Sequence, residues 1–124
     1  MLTINKPTFF TIDVPTFKFG VDIWICSKEK AYKKFNSFDF DGYKVENLSE
    51  GRCLQFETYN PIVWVNIDSV NPISVLVHEL LHAIIGVMEI KGIKLDVDND
   101  EVICYLQEFV FTKCLEKIDI KIKK

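Results

Sequence analysis

The feature that most constrains this chain is a change of hydrophobic period at Asn71. Upstream, apolar residues come in short runs with the period of a strand. Phe9 to Val14 form one run, stopped by Pro15, and after Gly20 the residues Val21, Ile23 and Ile25 alternate with Asp22, Trp24 and Cys26. Ser27 is placed as an N-cap before a Lys- and Glu-rich helical turn at 28–36, and Asp41-Gly42 marks a turn before Tyr43-Lys44-Val45. Two more strands are expected at 52–59 and 62–68, joined through Tyr59-Asn60-Pro61. Downstream, Pro72 sits at the first turn of a helix running over 73–90, Gly92 ends it, and 96–100 form an acidic loop. A second helix is expected over 99–118, capped by Asp98 or Asn99, while 118–124 fit either a frayed helix end or an edge strand. Strands followed by two helices make an α+β domain with a mostly antiparallel sheet, and 124 residues suit a single domain, 1–124.

Charge and cysteine usage exclude several classes. A net charge of −3, and a basic side of 14 Lys to the single Arg52, supply neither a phosphate-neutralising cluster nor guanine-reading arginines, so nucleic acid is not an expected partner. Four cysteines without a C-x-x-C pair, and an N-terminus without a basic-then-apolar leader, fit reduced thiols in a cytoplasmic protein. No apolar run of about 18 residues is free of charge, so a membrane span is not expected either.

The chemistry is concentrated in His78-Glu79-Leu80-Leu81-His82, which holds the only two histidines of the chain. On a helix, residues four apart stack on one face about 6 Å from each other, so His78 and His82 can share one metal ion. Glu79, about 100° round, would stand beside a metal-bound water as general base. The flanking residues Val75, Leu76, Val77, Leu80, Leu81 and Ala83 make the helix apolar on almost every side, which predicts a central, buried helix. Buried histidines and a carboxylate need partners, and a zinc ion would satisfy them; a hydrogen-bonded core pair with Glu79 as acceptor is the bland alternative.

A third protein ligand must come from elsewhere, and spacing favours a carboxylate over cysteine. Glu101 lies early in the second helix, on a stripe with Tyr105, Glu108 and Thr112. Glu108 is the fallback, Asp98 and Asp100 are further candidates, and Glu89 stands about 10 Å beyond His82 along the helix axis.

The run Ser74 to Ala83, followed by Asn99-Asp100-Glu101 and Tyr105-Leu106, resembles the small zincin-like proteins encoded by phages and prophages. More distantly it is similar to the minimal gluzincin core of the immunity-repressor peptidases. The resemblance covers residues 61–112. It implies a minimal zincin-like domain with His78, His82 and Glu101 as zinc ligands, Glu79 as catalytic base and a peptide or protein as substrate. It also implies that the strand before the helix is an edge along which an extended peptide lies, at Val65, Asn66 and Ile67. Tyr105 is the nearest candidate by helix position to stabilise an oxyanion, with Tyr59 and Arg52 as others, while Trp64 reads as core. A zinc metallopeptidase is the function expected. The alternative is a catalytically silent, zinc-stabilised phage protein that grips a host or virion protein in the host cytoplasm, and a metal-free structural domain stands third.

Overall fold

The computed structural model describes residues 2–38 and 44–122. Its strands are β1 (Leu2–Ile4), β2 (Thr8–Val14), β3 (Phe19–Cys26), β4 (Gly51–Leu54), β5 (Ile62–Asn66) and β6 (Ile120–Ile122). Its helices are α1 (Lys28–Asn36), α2 (Pro72–Ile90) and α3 (Asp100–Lys117), with a 3-10 turn at Pro15–Phe17. The fold is α+β. One four-stranded sheet runs in the order β2-β3-β5-β4, and a separate antiparallel pair, β1 with β6, ties the two ends of the chain together. The expected Asp41-Gly42 turn and Tyr43 lie outside the described residues.

The sheet is mixed, which departs from the expected mostly antiparallel one. β2 pairs antiparallel with β3, and β4 antiparallel with β5, but the central pair β3–β5 is parallel. The reason is the connection: β4 starts at Gly51, level with the end of β3, and runs antiparallel back to Leu54, level with its start, so β5 sets out beside β3 in the same direction. Ser27 caps α1 as the sequence predicts, its hydroxyl accepting from the Lys30 amide at 3.2 Å.

Alternation in β3 and β5 builds two cores. Val21, Ile23, Ile25, Val63 and Val65 face α2 and α3, where Leu80, Ile84, Leu106 and Val110 are fully or almost fully buried. Trp24, Cys26, Ile62 and Trp64 face α1 and pack on Ala31, Phe35, Val45 and Leu48. Trp64 is fully buried and its indole N–H donates to the Cys26 carbonyl at 3.2 Å, so it is core as expected. Cys26 and Cys114 pack as small hydrophobes, whereas Cys104 is exposed; no two of the four thiols are bridged.

Two strand ends differ from the sequence reading. β4 stops at Leu54, opposite Ile62, because the next residues leave the ladder and Gln55 turns onto α2. β5 stops at Asn66, whose side-chain oxygen accepts from the Asp68 amide at 3.0 Å and turns the chain toward α2. The C-terminal ambiguity resolves as the short strand β6.

Helix α2 departs most from expectation. By length and composition it is long and apolar enough to cross a membrane, the one such helix among the described residues. It packs on the sheet by a single stripe, Leu76, Leu80, Ala83, Ile84, Val87 and Met88. The opposite arc is uncovered: Val77 and Leu81 are 38% and 39% exposed, and His78 and His82 are exposed beside them. The helix is therefore one-sided, because the sheet reaches only one side of it.

Its other close neighbour is β4. A Cβ on Gly51 would stand 2.5 Å from Val75 Cγ1, 3.0 Å from Glu79 Cγ and 3.2 Å from the Trp64 carbonyl oxygen. Gly51 thus lets the strand lie directly on the helix. Gly51→Ala is expected to destabilise the fold by roughly 1–3 kcal/mol, the usual range for overpacking. Urea unfolding checks this, and an unchanged midpoint would contradict the close contact.

Candidate metal centre

Asn71 and Pro72 set the phase of α2. The Asn71 side chain accepts from the Ser74 amide at 3.5 Å, and Pro72 supplies a first-turn residue with no amide to satisfy. From that start, the buried stripe takes positions 76, 80, 83 and 84, and the arc away from the sheet receives His78 and His82.

The two imidazoles meet. Nε2 of His78 and Nε2 of His82 are 3.2 Å apart, with ring centroids 4.8 Å apart and planes at 73°. Two nitrogens that each stand 2.0–2.1 Å from one tetrahedral zinc are about 3.3 Å apart. The separation is that of a hydrogen bond between the two rings and is also close to what sharing one ion requires, and both residues are exposed.

Glu79 occupies the next position round, half-buried on the β4 side of the helix with its Cγ against Gly51. Burial holds its carboxyl above the usual value of 4.5; His78, His82 and Arg52 oppose that rise. Cys53, behind it on β4, has its thiol pushed up to about 12 by burial and by the nearby Glu79 charge, which makes it a protonated, inert neighbour.

The His78–Glu79–His82 ridge separates two open depressions. One, of about 530 Å³, is lined by Arg52, Cys53, Gln55, Glu79, His82 and Glu89 among others. The other, of about 350 Å³, is lined by Glu50, Gly51, Ser74, Val75, His78 and Glu79 with Ser49. Gln55 fastens the first: its Nε2 donates to the His82 carbonyl at 2.8 Å, and its side chain lies where a Cβ on Gly86 would be.

Other predicted site residues fall elsewhere. Val65 and Asn66 belong to β5, which is an inner strand: Val65 pairs with Ile25 on one side and Gly51 on the other, and Asn66 with Cys26. Asn66 further donates to the Ser49 carbonyl at 3.5 Å, and the Ile67 amide donates to the Cys26 carbonyl at 3.1 Å. No peptide can lie along a strand whose both sides are hydrogen-bonded. The edge beside the histidines is β4, because residues 51–54 return antiparallel on the outer side of β5.

Glu101, Tyr105 and Glu108 all lie on the solvated face of α3, Tyr105 being 64% exposed. At the level of the histidines, α3 reaches α2 through Gln107, whose Nε2 donates to the Val77 carbonyl at 2.9 Å. Six residues of helix put Glu101 about 120° round from Gln107. Among the described residues, no three His, Cys, Asp or Glu side chains already converge as a metal-binding group. Of the three oxyanion candidates, Arg52 alone lines the cleft with Glu79; Tyr59 is 72% exposed beside Phe56.

Residues that sequence reasoning passed over are Glu50, Cys53 and Gln55, which sit at the ridge because a distant strand packs there. Only the two glycines, at 51 and 86, hinted at that contact. Comparison with family models, with curated proteins and with solved structures finds no match for this chain.

Because burial raises the Glu79 carboxyl, the folded state holds that proton more tightly than the unfolded one. The group therefore lowers stability as pH rises from the usual value through the raised one. With chelator present, Glu79→Gln is expected to melt above the parent at pH 7, with the gap closing near pH 3 where both side chains are neutral. A variant that melts below the parent at pH 7 would contradict the burial argument.

Proposed function

We propose that the chain is a zinc-dependent hydrolase of peptide bonds, of the minimal HExxH type its sequence resembles. The observation that carries this reading is the 3.2 Å separation of the two Nε2 atoms, with Glu79 held between that pair and β4, the last strand of the sheet. His78 and His82 would hold the ion. Bound there, zinc would supply a Lewis acid that acidifies its water and polarises a carbonyl.

The remaining chemistry belongs to the chain's own groups. The Glu79 carboxylate, half-buried against Gly51 and beside the two imidazoles, accepts a proton. Arg52 brings a cation into the same cleft, suited to negative charge developing on an attacked carbonyl. The outer side of β4 offers main-chain groups to an extended peptide, which sets the scissile bond over the ridge without a deep pocket.

The second reading, a zinc-held binding protein without turnover, is favoured by one observation. Both histidines are exposed beside Val77 and Leu81, on a flank that a partner protein could cover.

The test uses a library of unstructured peptides with the zinc-loaded parent and Glu79→Gln. The hydrolase reading expects cleavage by the parent and a loss of at least ~100-fold in the variant at unchanged zinc content. Equal turnover in both would refute Glu79 as base, and zinc binding without any cleavage by the parent would favour the binding protein. His78→Ala is expected to lose the zinc itself, as metal analysis after gel filtration would show.

A further inference from the structure

Two imidazoles do not hold zinc tightly, so the identity of the next ligand decides whether the ridge is a metal site at all. The acids of α3 face solvent, and Glu89 stands two turns beyond His82, about 10 Å along the axis. Cys53 is half-buried on β4 and lines the larger depression, not the one that His78 lines. Among the described residues one further carboxylate lines the rim: Glu50, in the smaller depression with His78 and Glu79.

The main chain of Glu50 is held there by two contacts. Its carbonyl accepts from the Asn66 amide at 2.8 Å, which pins it to the head of β5's partner ladder. The following residue, Gly51, lies against Val75 and Glu79, so the backbone at 50 sits on the shoulder of α2 beside the first histidine. The Glu50 side chain is exposed and lines the same depression as His78, so a change of its rotamer is the movement that would bring its carboxylate to a metal there.

We propose that Glu50 is the carboxylate that completes the metal site begun by His78 and His82, so that the edge strand and not the following helix supplies the third protein ligand. The inference rests on the zinc reading above. It has a structural consequence: a carboxylate on the metal would fasten the head of β4 to α2, so that metal binding and the packing of the edge strand stabilise each other.

The test is zinc affinity by chelator competition for the full chain and three variants, Glu50→Ala, Glu50→His and Glu101→Ala, at low and high salt. Cobalt(II) absorption serves as an independent readout of the donor set. The proposal expects one zinc per parent chain, a loss of at least ~10-fold in Glu50→Ala at either salt, recovery in Glu50→His, and parental affinity in Glu101→Ala. Cobalt bands of the parent should shift in Glu50→His and weaken in Glu50→Ala. Parental affinity in Glu50→Ala would overturn the proposal and leave the zinc reading standing. A loss that disappears in high salt and is not recovered by His would also overturn it, because a remote charge is screened and a ligand is not. A parent that binds no zinc would overturn the zinc reading and this proposal together. Circular dichroism of each variant confirms that the affinities are those of folded protein.

Discussion

The seam between helix α2 and strand β4 is the contact on which the site depends. At one end Gly51 gives up a side chain so that the strand can lie on Val75 and Glu79; at the other, Gly86 does the same for Gln55. Between them Gln55 donates to the His82 carbonyl. The helix and strand are thereby fixed within a side chain's reach, and the groups on the ridge inherit that precision. Glu79 is half-buried because of this seam, and burial by the strand raises its carboxyl pKa. Shifting β4 outward would hydrate the carboxylate and return it to ordinary behaviour.

The sheet explains why the histidines point outward. One face receives one stripe of α2, to which the parallel β3–β5 pair presents Val21, Ile23, Ile25, Val63 and Val65. Among the described residues no second layer covers the opposite arc, where His78 and His82 are exposed, so polar groups there incur little desolvation cost. A chain this short builds a ridge between two shallow depressions, not an enclosed cleft. On the hydrolase reading proposed above, a substrate would be held mainly by its backbone along the edge strand β4, with affinity from main-chain hydrogen bonds and not from a deep specificity pocket.

Much of the fold was legible from local rules. Pro15, Ser27, Asn71-Pro72 and Gly92 punctuate the elements where turn and cap chemistry says they should, and the alternation in 21–26 correctly divides the two cores. The His78/His82 pairing followed from helix spacing alone. What failed did so for non-local reasons. The parallel β3–β5 pair depends on where the chain goes after α1, and nothing in 62–68 records that β4 folds back outside β5 and makes it an inner strand. Apolar residues on every side of α2 suggested full burial, yet Val77 and Leu81 stay exposed because only the sheet's extent decides that. The stripe of Glu101, Tyr105 and Glu108 is legible in the sequence, while its direction relative to α2 is set by Gln107 and the packing of Ile103, Leu106 and Val110. Glu50 carries no motif; its proximity to His78 exists only in three dimensions.

The central claim is that His78 and His82 bind one metal ion together. X-ray absorption at the zinc edge of the loaded full-length protein tests it most directly, because imidazole rings leave a distinct outer-shell scattering pattern. The account predicts a first shell of light atoms at about 2.0–2.1 Å with outer-shell scattering from two imidazoles and no sulfur. A sulfur shell at about 2.3 Å, fewer than two imidazoles, or a protein that emerges from dialysis without zinc would contradict it.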